Sequence, residues 1–265
     1  TPVYDVNVGV FDALVLADIA FFDNHNHVLD SATRALVDSA CQKAIEYVMT
    51  FNVGEDYTNI AMTSAAVGAA AKTLYNTTGA DTFAQTKLSN IYTESGGVAQ
   101  NHVVYEYLAP TYYGVDLSSV YHCQRFAFNS TFAQTVSSME YNLWLQIGIA
   151  YHGPTGQLGG PWCRTYGQNM LQYTAYLNYF LDLGLTNGYP VTSGQPVQIG
   201  DETGALHMCD LPVTVNPQLN QSQPYGLKTL LASPGPTDTT DTPRTLYLSR
   251  CKNSFMLGTV AVQDM

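Results

Sequence analysis

The side chains that could carry out chemistry in this sequence are isolated from one another. Only 6 His occur among the 265 residues. His102 precedes Glu106 by one helical turn, a spacing more typical of a core or helix-surface pair than of a metal ligand. His25-Asn26-His27 suits a cap or turn at a helix end, and a weak surface metal site beside Asp23 is the alternative. No role is assigned to His122, His152 and His207.

Catalytic motifs are equally scarce. The sequence contains no G-x-S-x-G elbow, P-loop, G-x-G-x-x-G or H-E-x-x-H. Two carboxylates could serve a glycosidase, but a chain with 21 Asp+Glu offers many such pairs. The acids considered for such a pair are Asp18, Glu94, Glu106, Glu140, Asp182 and Glu202. A Tyr-rich line could form a ligand groove, although its helical spacing is more typical of a core or interface: Tyr166, Tyr173, Tyr176, Tyr179 and Tyr189.

Composition limits the possible partners. Charged residues make up 12% of the chain, against about 25% in soluble domains. The formal net charge of −11 has the wrong sign for binding nucleic acid or an anionic membrane surface. No apolar run reaches the roughly 18 residues that a transmembrane helix needs, so we expect no membrane span.

Three N-glycosylation sequons indicate secretion. They begin at Asn76, Asn129 and Asn220. Ser, Thr, Asn, Gln and Tyr take the place of the missing charges, a composition commoner outside the cell than in the cytosol. The chain begins with Thr1-Pro2 and not with Met, as a processed mature protein would. We therefore expect a secreted glycoprotein.

The five cysteines show neither CxxC nor zinc-site spacing. In an oxidising compartment they allow two disulfides and one free thiol. Cys41 lies among Ala and Ser in a predicted helix and is expected to be the free thiol. Spacing alone leaves the pairing of the other four open: Cys123, Cys163, Cys209 and Cys251.

Hydrophobic periodicity predicts helices over the first two-thirds of the chain. Asp30-Ser31 is the predicted N-terminal cap of the second helix. The fourth predicted helix carries His102 on its apolar face and continues to Pro110, and Gly96-Gly97 within it would form a kink or a point of close packing. The helices are predicted over residues 11–24, 31–48, 58–76, 88–110, 130–147 and 164–184.

After Gly188 the composition becomes rich in Pro, Gly and Thr, and short runs resemble β-strands. These runs are residues 211–215, 245–248 and 257–262. The sequence therefore predicts a mainly α protein, with a helical bundle over residues 1–188. Residues 189–265 are interpreted as an irregular, strand-bearing extension packed on that bundle.

Four segments of the sequence are similar to parts of one protein group. Asp5-Val6-Asn7-Val8 with Ala13-Leu14-Val15-Leu16 resembles the opening of the first helix in that group. Two segments resemble its third and fourth bundle helices: Cys123-Gln124-Arg125-Phe126-Ala127-Phe128 and Leu171-Gln172-Tyr173-Thr174-Ala175-Tyr176-Leu177. Cys209-Asp210-Leu211-Pro212 resembles its tail. The group is the secreted ferritin-like proteins of the desiccation-related and fungal stress-response type, and the resemblance covers residues 5 to 220.

The resemblance implies a ferritin-like bundle whose metal ligands are largely absent. Such bundles hold two metal ions with about four inward carboxylates and Glu-x-x-His pairs. The matching positions are Ala99, Met170, Tyr173 and about Leu145, and the two weak ligand candidates that remain are Asp18 and His102. We therefore expect no stoichiometric metal and no cofactor.

The resemblance also implies a pairing of cysteines. Cys123 and Cys209 stand at positions similar to the family's cysteines, and we expect a disulfide between them. Cys163 would then pair with Cys251 and tie the tail to the bundle.

These expectations combine into a secreted, non-catalytic structural or surface protein. It would assemble as a homo-oligomer or bind extracellular matrix or wall material, because aromatic residues and amides favour such contacts. Two alternatives stay open. One is an enzyme, either a metal-dependent oxidase-like ferritin relative with a rearranged site or a hydrolase that uses an acid pair. The other is a small-ligand-binding module with a Tyr-lined pocket.

Overall fold

The computed structural model describes residues 5–51, 53–94, 102–106, 108–152, 157–158, 226–232, 244–251 and 255–261, together with residues 163, 177 and 180. The described part of the chain is mainly helical, as predicted. Its helices are α1 (Val8–Asn26), α2 (Ser31–Phe51), α3 (Thr58–Tyr75), α4 (Ala80–Glu94), α5 (Pro110–Arg125) and α6 (Ser130–Ala150). Of the helix predicted over residues 164–184, only Leu177 and Phe180 are described.

Local signals in the sequence set several helix ends. Asp30 caps α2 as predicted, because its Oδ1 accepts hydrogen bonds from the backbone N–H groups of Ala32 and Thr33, each at 2.9 Å. The predicted starts of α3 and α6, at Thr58 and Ser130, are also confirmed. Helix α3 ends at Asn76, which adopts a left-handed conformation (φ 49°, ψ 39°). Asparagine is one of the few L residues that adopt this conformation readily.

The fourth predicted helix was wrong in its position. Helix α4 ends at Glu94, and His102 lies in a short strand, β1 (His102–Val103). Pro110 begins α5, which the sequence reading did not predict. Proline ends a preceding helix but also suits the first helical turn, where its missing N–H has no partner to lose.

Helix α3 occupies the centre of the bundle. It packs against α1, α2, α4 and α5, whereas α6 packs against α4 and α5. All residues from 58 to 71 are buried. Small side chains make this possible: a Cβ added at Gly68 would lie 2.8 Å from Cδ1 of Phe83, so the Phe83 ring of α4 rests directly on the α3 backbone.

Contacts between successive helices define two ends of the bundle. At the Asn76 end, the Thr73 hydroxyl donates to the carbonyl of Phe126 at 2.7 Å, and the Tyr75 hydroxyl donates to Asp38 at 2.9 Å. These bonds join the end of α3 to the end of α5 and to the first half of α2. At the Thr58 end, the Tyr47 hydroxyl donates to the carbonyl of Val6 and joins the end of α2 to the segment before α1.

The remaining elements are strands. They are β1, β2 (Tyr151–His152), β3 (Gln157–Leu158), β4 (Gly226–Ala232), β5 (Arg244–Cys251) and β6 (Phe255–Ala261). Four of them form a sheet in the order β1-β4-β5-β6, in which β1 is parallel to β4 and the other pairs are antiparallel. Strands β2 and β3 pair antiparallel. None of the helices within the described ranges combines the length and the apolar character that crossing a bilayer requires.

Candidate functional site

Asp18, one of the two metal-ligand candidates, is the centre of a buried ion cluster. Its side chain is 0% exposed. Oδ1 accepts a hydrogen bond from Arg125 at 2.7 Å, and Oδ2 lies 2.9 Å from Nε2 of His122. The guanidinium of Arg125 neutralises the carboxylate and also lies over the rings of Phe21 and Phe22. The Asp18 carboxylate therefore holds α1 to α5, and a metal ion would have to displace an arginine to reach it.

The imidazole of His122 completes this cluster. Its Nδ1 lies 2.6 Å from the carbonyl oxygen of Ser118, and its Nε2 faces the Asp18 carboxylate. Each ring nitrogen therefore faces an oxygen atom, one from the backbone and one from a carboxylate. The cluster thus places the Asp18 carboxylate between a guanidinium and an imidazole.

The second metal-ligand candidate, His102, lies elsewhere in the fold. Strand β1 precedes the first turn of α5, whereas Asp18 contacts the last turns of α5, and that helix has 16 residues. A helix of that length spans about 24 Å. The structure therefore does not bring Asp18 and His102 together. Among the described residues, no group of three or more His, Cys, Asp and Glu side chains is arranged to hold a metal ion.

Glu106 acts as a remote cap for helix α3. Its Oε2 accepts hydrogen bonds from the backbone N–H of Asn59 at 2.8 Å and from the Asn59 side chain at 2.6 Å. Tyr57, at the N-cap position, makes no side-chain capping bond. The carboxylate of Glu106 therefore satisfies a helix N–H and faces the positive end of the α3 dipole.

Asp116 is a fully buried acid on α5 without such compensation. Neither of its carboxyl oxygens has a hydrogen-bond partner among the described residues. Burial, reinforced by the nearby charge of Glu106, raises the pKa of Asp116 well above its ordinary value. Burial therefore favours the neutral form of Asp116 in the folded protein.

Glu140 belongs to a third network, between α5 and α6. The Tyr121 hydroxyl donates to its Oε1 at 3.1 Å, and Gln124 donates to its Oε2 at 2.6 Å. Trp144 donates in turn to the Tyr121 hydroxyl at 3.0 Å. Asp18, Glu106 and Glu140 each have separate partners in these networks. Of the other acids considered for a hydrolase pair, the side chain of Glu94 and residues Asp182 and Glu202 lie outside the described part of the structure.

Two of the three predicted glycosylation sites lie within the described residues, and both are exposed at the Asn76 end. Asn76 Oδ1 accepts a hydrogen bond from Lys72 at 2.8 Å. Asn129 Oδ1 accepts one from the backbone N–H of Phe132 at 2.8 Å and so caps α6. Both recorded side-chain bonds use the amide oxygen, which leaves the amide nitrogen, the atom that carries an N-linked glycan, for modification. Asn220 lies outside the described residues.

The structure describes four of the five cysteines. Cys41 is buried, and burial raises the pKa of its thiol to about 11. Cys123 is also buried, and Cys163 is partly buried. Cys209 lies outside the described residues, and Cys251 is in β5. The pairings of Cys123 with Cys209 and of Cys163 with Cys251 stay predictions.

A groove of about 440 Å³ runs along α4. We call it the α4 groove; it is lined by Val53, Gly54, Glu55, Thr82, Phe83, Thr86, Lys87 and Asn90. Lys87 is only 5% exposed, and its ammonium group donates to the carbonyl of Val53 and lies 3.6 Å from Oε1 of Glu55. Asn90 donates to the same Glu55 oxygen at 3.3 Å. The groove thus has a charge-balanced wall between the α2–α3 connection and α4.

Sequence reasoning missed Asp116, Lys87 and the structural role of His122. Pro110 at the first position of a helix was the signal for α5, which carries Asp116 and His122. Nothing in the sequence around Lys87 indicated its burial. The Tyr-rich line predicted to form a groove, from Tyr166 to Tyr189, lies outside the described residues.

Comparison with known proteins identifies a family. A family model described as a domain of unknown function, DUF8769, matches residues 3–203. The matched range includes all six helices described above. No curated protein and no solved structure matches the chain.

Proposed function

The chain belongs to the DUF8769 family, and we propose that it is a secreted glycoprotein with a structural role, which associates with copies of itself or with extracellular material. The observation that carries this proposal is the position of the two described sequons. Asn76 ends α3, Asn129 precedes α6, and both are exposed at the same end of the bundle. Glycans there would cover one end of the molecule and leave the other end uncovered.

The uncovered Thr58 end carries an apolar surface that suits association. We call it the Tyr47 patch; it consists of Val6, Val8, Tyr47 and Phe51. Val6 and Val8 are 54% and 45% exposed. The rings of Tyr47 and Phe51 are stacked with their centroids 5.4 Å apart, and Tyr47 is itself exposed. A preformed cluster of aromatic and aliphatic side chains is typical of the centre of a protein interface.

The fold that we propose for this role is a ferritin-like bundle with a strand-bearing C-terminal extension. The six helices and the segments quoted above support it. In this proposal the bundle is a scaffold and not a metal centre. The involvement of Asp18 in an ion cluster with Arg125 and His122 supports that interpretation.

Glycan mapping tests the proposal directly. The chain is produced in a eukaryotic secretory host, and occupancy at each sequon is measured by peptide mass spectrometry before and after enzymatic removal of N-glycans. We expect Asn76 and Asn129 to be occupied. Thr78→Ala and Thr131→Ala, which remove one sequon each and keep the asparagines, should each abolish one glycan. A secreted product that carries a glycan at neither Asn76 nor Asn129 would contradict the proposal.

A further inference from the structure

The α4 groove combines polar and apolar side chains in two neighbouring rows. Thr82, Thr86 and Asn90 are spaced four residues apart, so their exposed side chains form one row along α4. The row extends from residue 82 to residue 90, eight helical steps, and is about 12 Å long at the helical rise. Phe83 and Lys87 form the second row, one residue further along the helix. This length along α4 favours a ligand that extends along the helix.

The apolar part of the groove is packed against the central helix α3. The ring of Phe83 rests on Gly68 of α3, where a Cβ would lie within 2.8 Å of it, and the ring is only partly buried. Val53 lines the same groove from the α2–α3 connection. A fixed aromatic ring beside a short aliphatic side chain suits the C–H face of a ring-shaped ligand.

The charges in the groove favour a neutral ligand. The ammonium group of Lys87 is matched by Glu55 and by the carbonyl of Val53, so it does not supply an unmatched positive charge for an anion. The net charge of −11 also repels anions. A cation would have to lie beside the Lys87 ammonium. The hydroxyls of Thr82 and Thr86 and the amide of Asn90 offer uncharged donors and acceptors instead.

We propose that the α4 groove binds a neutral, polyhydroxylated chain, an oligosaccharide of extracellular material. The hydroxyl and amide row contacts the ligand's hydroxyl groups, and Phe83 and Val53 contact its apolar face. The volume of about 440 Å³ lies within the range of small-molecule sites, about 300 to 1,000 Å³. This inference deepens the proposed function, on which it rests for the extracellular setting of the ligand.

The test compares hexasaccharides of different charge by isothermal titration calorimetry with the full chain. Maltohexaose, laminarihexaose and chitohexaose are the neutral probes, hexagalacturonate is the anionic probe, and the fully deacetylated chitosan hexamer is the cationic probe. We expect at least one neutral probe to bind with a Kd below about 1 mM and the charged probes to bind at least about tenfold more weakly. Absence of binding by all three neutral probes, or tighter binding of a charged probe, would overturn the inference.

Variants locate the site. Thr86→Ala and Asn90→Ala should each weaken binding of the neutral probe about tenfold, and Thr86→Trp, which fills the groove, should abolish it. Ser137→Ala and Gln134→Ala remove an equivalent hydroxyl and amide from exposed positions on α6 and should leave binding unchanged. Equal affinity of the groove variants and these controls would overturn the inference.

The two proposals can fail separately. Thr78→Ala with Thr131→Ala removes the two described sequons, which lie outside the groove, and should leave oligosaccharide binding unchanged. Oligosaccharide binding by unmutated chain that a eukaryotic host secretes without glycans at Asn76 and Asn129 would contradict the proposed glycoprotein and retain the groove as a saccharide site. Occupied sequons without oligosaccharide binding would retain the proposed function and remove this inference.

Discussion

At the scale of single residues, Asp18 shows how a formal charge is accommodated in the core. Burying an ion pair has a large desolvation cost, which the close hydrogen bonds to Arg125 and His122 offset here. The bonds to Arg125 and His122 join α1 to α5 across 107 and 104 positions of sequence, respectively. The cluster holds these two helices in register, but removal of the Asp18 carboxylate would leave the Arg125 guanidinium buried without a counter-charge.

We expect Asp18→Asn to destabilise the fold by about 3–5 kcal/mol, because it leaves Arg125 without its counter-charge in the core. Urea unfolding followed by circular dichroism measures the change. Asp12→Asn makes the same chemical change at an exposed position of α1 and should alter the free energy of unfolding by less than about 0.5 kcal/mol. Similar effects of the two substitutions would show that the ion cluster is not structurally important.

Asp116 lowers the stability of the fold when it ionises, whereas ionised Asp18 stabilises the fold through Arg125. Its raised pKa means that the folded state keeps a proton that the unfolded state releases once the pH exceeds about 4. The folded state then binds more protons than the unfolded state. Stability therefore falls as the pH rises, from the ordinary aspartate pKa up to the pKa in the folded protein.

Asp116→Asn should remove this loss. The free energy of unfolding of the variant, relative to the unmodified chain, should increase as the pH rises above the ordinary aspartate pKa of about 4, by at most about 1.4 kcal/mol per pH unit. Urea unfolding at several pH values measures this slope, which is independent of any constant cost of the buried amide. Asp56→Asn, at an exposed position, is the control. A difference that does not change with pH would mean that Asp116 is ionised in the folded protein.

At the scale of elements, the sequence predicted helices best where caps and apolar stripes agree. Asp30 and Ser130 mark helix starts that the structure confirms. The prediction failed between Glu94 and Pro110, because a residue stripe that includes His102 also fits a helix, and periodicity alone does not reveal a break in the chain direction. Pro110 is compatible both with the end of a preceding helix and with the first turn of a new one. Only the tertiary structure shows that it begins α5.

The candidate site was less predictable than the fold. Asp18 was recognised as chemically distinctive, but its partners His122 and Arg125 are more than 100 positions away and lie on a helix that was not predicted. Glu106 caps α3 from 47 positions away. Such partners follow from the packing of helices, which residue spacing does not encode.

Asn129 caps α6 and is also a predicted glycosylation site, and substitutions separate the cap from the sequon. In unglycosylated chain from a bacterial host, Asn129→Ala should cost about 1 kcal/mol, because it removes the cap on the Phe132 N–H. Asn129→Asp keeps an acceptor at this position, and Thr131→Ala removes only the sequon, so both should retain nearly full stability. Thermal unfolding measures all three. Equal loss in Thr131→Ala would show that the cap is not the cause.

At the scale of the whole molecule, the two ends of the bundle have different surfaces. The Asn76 end carries the two exposed sequons, and the Thr58 end carries the Tyr47 patch. Low charge density favours contact between molecules, but the net charge of −11 still repels copies of the chain. Apolar attraction at one end and a diffuse negative field over the whole surface therefore oppose each other, and salt shifts the balance because it screens the field.

Self-association through the Tyr47 patch should consequently strengthen as NaCl rises from about 20 mM to about 500 mM. Val8→Glu should abolish it, because the charge enters the patch at 45% exposure, and a carboxylate suits the first turn of α1, so the helix should persist. Val28→Glu makes the same change at 80% exposure near the Asn76 end and serves as the matched control. Sedimentation equilibrium gives the dimer dissociation constant for each variant. The opposite result, in which Val28→Glu removes association and Val8→Glu does not, would place the interface at the Asn76 end. Glycans at that end would then limit assembly.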